Sequence, residues 1–119
     1  VGLDLLRLRR RLENAERAEE ALTVHASVVE LQPNEGVWRR NYANSLINLN
    51  RLDEAAVQLD EAERLDPDAP YLALRRAELA RAHGDRDAAA QWAQEALRRQ
   101  PDWKDAQEIL AWASNETTS

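Results

Sequence analysis

Apolar residues recur at intervals of three and four along most of the chain, which is the spacing that places them on one face of an α-helix. The stretches 37–49, 53–65, 72–82 and 87–99 each carry this pattern, and short polar or Gly-containing stretches separate them. The composition is rich in Ala, Leu, Glu and Arg, with three Gly and no Phe, which favours helix over strand. The pattern therefore predicts a series of amphipathic helices of about a dozen residues each.

The helices are grouped by a repeat of fixed length. Pro33, Pro67 and Pro101 are spaced 34 residues apart, and each follows the end of an apolar-periodic segment. Proline lacks an N–H and disfavours helix in the residue before it, so each one is expected to end a helix and redirect the chain. Small or apolar residues recur in the same register at Ala21, Ala55 and Ala89 and at Val28, Ala62 and Ala96. A constant period of this length is typical of stacked helical repeats.

These residues resemble the tetratricopeptide repeat family. The central unit matches the family signature at Tyr42, Ala43, Leu46, Ala55, Leu59, Ala62 and Pro67. The first unit departs from it, with Arg9 where a small residue is usual and His25 where an aromatic is usual. The resemblance implies an all-α, right-handed solenoid of three helix-turn-helix repeats and a C-terminal capping helix, in which close helix crossings require small side chains.

The predicted organisation is one domain over 1–114 and a polar tail over 115–119. The repeats are expected at about 2–35, 36–69 and 70–103, and the capping helix at about 103–114. Each repeat is expected to form two helices, so that the cap would be the seventh helix. The chain begins without Met and ends in a polar stretch. One hypothesis is therefore that it is a fragment of a longer protein.

Composition and charge argue against several classes of function. The net charge of −6 argues against nucleic-acid binding, and the basic stretch RLRRRL is interpreted as a solvated helix face. No apolar run is long enough to span a bilayer, so direct membrane insertion is not expected. There is no Cys, and His25 and His83 lie in different units without the spacing of a zinc site. We expect no catalytic residue, cofactor or metal, and favour the cytoplasm over the periplasmic side of an anchored parent protein.

The resemblance implies that the first helices of successive repeats line a concave groove that binds a peptide or a helix of a partner protein. Arginine offers paired donors to a carboxylate and asparagine can bond a peptide backbone, so an acidic segment is the expected partner. The candidate groove residues are Arg10, Arg40, Asn41, Asn44, Asn48, Tyr71, Arg75, Glu78, Arg81 and Trp112. The competing interpretation is that these side chains are solvated, with the arginines paired to neighbours such as Glu78.

Three alternatives to this function follow from the same residues. Some family members clamp a C-terminal carboxylate, but each possible register matches only two of those positions, so this binding mode is not expected. The matches are Asn41 and Arg75 in one register and Arg40 and Asn44 in the other. Self-association is a second hypothesis, through apolar residues of the first helix at one end and Trp112 at the other. The third is that the chain is an accessory segment of a larger enzyme or of a membrane-anchored assembly protein.

Overall fold

The computed structural model describes residues 2–115, with the side chains of 5–115. In that range the chain forms helices joined by short turns, without strands. The six helices are α1 Gly2–Leu31, α2 Gly36–Asn48, α3 Leu52–Leu65, α4 Pro70–His83, α5 Arg86–Arg99 and α6 Lys104–Ser114. The predicted tail lies outside the described residues except for Asn115.

The prolines end the helices as the repeat predicts. Helices α1, α3 and α5 end at Leu31, Leu65 and Arg99, each two residues before a proline of the 34-residue series. The chain then turns and enters the first helix of the next unit. Helices α2 and α3 form a hairpin within the unit predicted at 36–69, and α4 and α5 form a hairpin within the unit predicted at 70–103.

The turns inside these two hairpins are equivalent. Asn50 and Gly84 stand 34 residues apart and both adopt a left-handed backbone, with φ of 60° and 77°. The N–H of Gly84 donates to the carbonyl of Arg81 at 2.9 Å, and the N–H of Asn50 donates to that of Ile47 at 2.9 Å. Gly and Asn are the residues that tolerate this conformation best, so each can end a helix sharply.

The first unit differs from the prediction, because it forms one continuous helix and not a pair. The residue in register with Asn50 and Gly84 is Glu16, for which a left-handed backbone costs about 1–2 kcal/mol. Between Gly2 and Pro33 there is no further Gly or Pro, and most residues favour helix. The expected first turn is therefore absent, and the described chain has six helices where seven were predicted.

The core consists largely of alanines at helix crossings. Two clusters of buried residues lie along the chain, one between α1 and α4 and the other between α4 and α6. The largest fully buried side chains are Leu46, Leu59 and Leu74. The alanines with no exposed surface are Ala43, Ala55, Ala62, Ala77, Ala89, Ala93, Ala96 and Ala106. Because a methyl group is all that these crossings hold, the neighbouring backbones approach closely.

The order of packing leaves one continuous inner layer. Helices α2, α4 and α6 pack side by side. Helices α3 and α5 pack on the helices before and after them in the chain, but not on one another within the described range. Helix α6 closes the stack against α4 and α5, burying Ala106, Ile109 and Ala113, while Lys104 and Glu108 are exposed. Helix α1 packs on α2 alone among the described helices. None of the helices described is both long and apolar enough to cross a membrane.

Candidate functional site

The inner layer carries a small cavity between α2 and α4. It has a volume of about 160 Å³ and is lined by Val37, Arg40, Asn41, Tyr71 and Arg75. Val37 and Tyr71 hold the same register in consecutive units, as do Asn41 and Arg75. The 34-residue repeat therefore brings these side chains together, because α2 and α4 occupy equivalent places in adjacent units. Four of the five are among the candidate groove residues given above, and the repeat register predicts Val37 in the groove as well.

The two arginines of this cavity differ in how they are held. Arg40 is half-buried, and no ion pair to it is present among residues 5–115. Burial lowers the pKa of the Arg40 guanidinium, the charge of Asp66 raises it, and the neighbouring charge of Arg75 lowers it. The cavity thus concentrates positive charge in a partly desolvated place, which favours a negatively charged ligand.

Arg75 is fixed by its neighbours. Its Nη1 donates to Glu78 Oε1 at 2.8 Å, and its guanidinium carbon lies 5.9 Å from the centre of the Tyr71 ring. The side chain is only 17% exposed, and its buried Nε has no hydrogen-bond partner within the described structure. This pairing agrees with the competing interpretation of the sequence, in which the arginines are paired to neighbours such as Glu78. Arg75 therefore already has a carboxylate partner within the chain, whereas Arg40 has none among the described residues.

A second depression follows the first along the same two helices. Ile47, Asn48, Glu78, Arg81 and Ala82 line it, with a volume of about 340 Å³. Glu78 lies between the two, because it pairs with Arg75 in one and lines the other. On α2, the predicted residues Asn41, Asn44 and Asn48 recur at three and four residues and share one face of the helix. Together they form a polar stripe along the groove.

Trp112 lies at the far end of this face, and two arginines cover its indole ring. The guanidinium carbons of Arg81 and Arg86 are 5.7 and 4.6 Å from the ring centre. An Nη1–H of Arg86 also donates to the Trp112 carbonyl. Both arginines hold the indole by cation–π contact, so its role in the structure is to join α6 to α4 and α5.

Arg10 is the predicted site residue that the structure does not bring to the groove. It lies in the first half of α1, where every residue from 5 to 17 is exposed. The depression that it lines is formed by Leu6, Arg9, Arg10 and Glu13 of the same helix. The continuous helix explains this position, because no turn at Glu16 folds the first half of α1 back against α2.

Comparisons with known proteins agree with this architecture. A family model described as "Tetratricopeptide repeat" matches residues 13–77, more than half of the 119-residue chain. The chain belongs to the tetratricopeptide repeat (TPR) family. A solved structure of the TPR domain of OM64 from Arabidopsis is similar, with a TM-score of 0.75 and 17% sequence identity over 91% of this chain and 89% of that one. At this identity the likeness shows the fold alone. No curated protein matches the chain.

Sequence reasoning missed two contacts that shape the TPR groove. Trp103 packs edge-on against Tyr71, with ring centres 5.0 Å apart and planes at 88°. Arg86, the first residue of α5, covers Trp112. Neither pair stands at a helical or repeat spacing, so no periodic signal in the sequence identifies them.

A separate cleft lies outside the groove, between the α3–α4 turn and the α4 and α5 helices of the TPR stack. Its volume is about 280 Å³, and Pro67, Leu72 and Trp92 are among its lining residues. At its edge, hydrogen bonds from Arg98 and then from Arg99 hold the pKa of the Glu95 carboxyl at about 2. Arg99 also donates to the carbonyl of Asp68 at 2.8 Å. The Arg99–Asp68 bond ties α5 to the turn that precedes α4, and the bonds to Glu95 lie within α5, so this cluster has a structural role. No cluster of metal-binding side chains is present in the described range.

Proposed function

We propose that this chain is a non-catalytic binding module whose inner α2–α4 face holds an acidic peptide or helix of a partner protein. TPR domains generally bind protein partners and are typically non-catalytic, which supports the general function. The observation that carries the finer proposal is Arg40, a half-buried cation beside Arg75 that has no ion pair among the described residues.

The chemistry of the cavity favours a carboxylate at this place. A guanidinium can donate two parallel N–H bonds to one carboxylate, and the exclusion of water strengthens such bonds. Because Glu78 already engages Arg75, the partner's carboxylate is expected to bind mainly to Arg40, with Arg75 adding positive charge. The walls at Val37 and Tyr71 are 41% and 50% exposed and can contact an apolar residue beside the acidic one.

The asparagines of α2 extend the site along the groove. An Asn amide can accept from a peptide N–H and donate to a peptide carbonyl, so it binds main chain irrespective of side chain. Asn41 lies in the first depression and Asn48 in the second. We therefore propose that a partner segment runs from the Arg40 cavity towards Arg81, with its main chain along this stripe.

The proposal is tested by capturing partners with the wild-type chain and with Arg40→Glu, and identifying them by mass spectrometry. The matched control is Arg64→Glu on α3, an exposed arginine that is bonded to Glu61. We expect the wild type and the control to capture the same partners, and Arg40→Glu to lose them.

Affinity for a synthetic peptide from such a partner, measured by calorimetry, then tests the carboxylate itself. A hydrogen bond to a charged group contributes about 1.5–3 kcal/mol, so Arg40→Gln is expected to weaken binding about 10- to 100-fold. Replacing the acidic residue of the peptide by its amide should weaken binding to the wild type similarly, with little further effect in Arg40→Gln. Partner binding that Arg40→Glu leaves unchanged would contradict the proposal.

A further inference from the structure

One position of the repeat register makes the same hydrogen bond in two places. The Nε–H of Arg39 donates to the Pro33 carbonyl at 3.1 Å, and the amide Nε2 of Gln107 donates to the Pro101 carbonyl at 3.0 Å. Arg39 and Gln107 stand two repeats apart, as do the two prolines. Each of these long side chains therefore reaches back to the turn that precedes its own helix.

The residue of this register in the third unit is Ala73, whose methyl group cannot make the bond. No donor to the Pro67 carbonyl is present among residues 5–115. The TPR signature begins with a tryptophan, and Ala73 stands at its position in the register that aligns Ala77 with the signature glycine. The third unit thus lacks both the bond and the large side chain that belong to this position.

The cleft between the α3–α4 turn and helices α4 and α5 lies at this place. Pro67, Ala73 and Trp92 are among the residues that line it. In the second unit, Arg39 also donates to Gln58 Oε1 at 2.9 Å, and Gln58 is in register with Trp92. The Arg39 side chain therefore spans, in the second unit, the space that is open in the third unit as the cleft.

The size and the walls of the cleft suit one indole ring. Its volume is about 280 Å³, whereas an apolar cavity of about 150 Å³ is large enough for a benzene ring. Pockets that hold a whole small-molecule ligand begin at roughly 300 Å³, so a single side chain is the better match. Three buried residues, Ala69, Leu72 and Ala73, and the half-buried Trp92 give the cleft walls that are largely apolar.

The charges at the rim favour an uncharged side chain. Glu95 and Arg99 both line the cleft and are bonded at 3.2 Å, so their charges offset one another. Arg98 donates to the same carboxylate, so a cation entering the cleft would meet two arginines there. Arg99 stands in register with Leu65, which means that the third unit carries on α5 a positive charge that the second unit carries at Arg39. A neutral group is therefore the electrostatic complement of this rim.

We propose that this cleft binds a tryptophan side chain of a partner protein, with the indole N–H donating to the Pro67 carbonyl. Indole has one N–H donor, no acceptor and no charge, which matches a carbonyl that lacks a donor in the described structure, apolar walls and a neutral rim. Tryptophan is also enriched among the residues that anchor protein interfaces. The site is independent of the groove, because none of its lining residues lines either depression between α2 and α4.

Nuclear magnetic resonance of the whole isotope-labelled chain tests the site without any variant. The probes are N-acetyltryptophanamide and its analogue methylated at the indole nitrogen. The first is expected to shift the indole N–H resonance of Trp92, which Trp92→Phe identifies. Methylation removes the donor and is expected to weaken binding at least about threefold. Arg40→Glu, which alters only the groove, should bind the first probe as the wild type does.

Three results of this experiment would overturn the proposal. The first is the absence of a saturable shift at Trp92, and the second is equal affinity for the two probes. The third is tighter binding of N-acetylargininamide or N-acetylglutaminamide, which would identify a different occupant.

Filling the cleft from within the chain provides an independent test. Ala73→Trp restores the side chain of the family signature and is expected to keep the helical circular dichroism of the wild type and to abolish the shift caused by the probe. Ala73→Gln is the second variant, because Gln107 shows that a glutamine in this register reaches the proline carbonyl. Ala82→Gln, exposed on the same helix and outside the cleft, is the matched control and should bind the probe. A folded Ala73 variant that still binds the probe as the wild type does overturns the proposal.

Discussion

The first and second units of this protein share a 34-residue register and differ in what they form. In the second unit the chain turns at Asn50 and folds into the α2–α3 hairpin, so that Leu46 has no exposed surface. In the first unit Glu16 occupies the register of Asn50 and the helix continues, leaving Leu12 57% exposed in the register of Leu46. One residue suited to a left-handed backbone thus separates a packed repeat from a projecting helix.

The largest expected difference between the two units is in stability. Leu46→Ala removes a fully buried side chain and is expected to lower the free energy of unfolding by about 2–5 kcal/mol. Leu12→Ala, in the same register, is expected to change it by less than about 0.5 kcal/mol in dilute solution. Urea denaturation of both variants measures the difference. Equal losses would show that the first half of α1 packs on the domain.

The turn itself gives a smaller effect. Gly84→Ala puts a Cβ where there is open space, so its cost of about 1–2 kcal/mol comes from the left-handed backbone alone. Gly36→Ala is the control, because Gly36 begins α2 and an added Cβ would make ordinary contacts there. The control should be neutral or stabilising by up to about 1 kcal/mol. Thermal unfolding compares them, and equal midpoints would contradict this account of the turn.

The smallest expected effect concerns how the thermal stability of the packed units falls at acid pH. The bonds from Arg98 and Arg99 lower the pKa of Glu95 to about 2 from an ordinary value of 4.5. A carboxyl whose pKa is lower in the folded state stabilises the fold above its unfolded pKa, and this contribution is lost as the pH falls from about 4.5 to about 2. Glu95→Gln should flatten the fall in the thermal midpoint over this range. Glu20→Gln, on the exposed part of α1, should behave as the wild type does.

The sequence alone predicts most of the fold. The fold class, the family resemblance, the helix ends before Pro33, Pro67 and Pro101, and the all-α architecture follow from local preferences and a constant period. The predicted number of helices in the first unit was wrong, because the repeat was given more weight than the residue at the turn. Glu16 was the local signal, since glutamate disfavours the left-handed backbone that the turn requires. The groove was predicted less completely, since register identifies which face a side chain occupies but not its partners.

Periodicity and backbone preference therefore determined most of the helical residues and where each unit ends, because these depend on neighbours within a few positions. The 34-residue register indicated which small side chains lie at the crossings. Only the tertiary structure decided which partners the arginine side chains contact. It bonds Arg75 to Glu78, places Arg81 and Arg86 over Trp112, and leaves Arg40 half-buried without an ion pair among the described residues. Contacts of this kind depend on side-chain geometry and, at Trp112, join residues from three different helices, which no local pattern encodes.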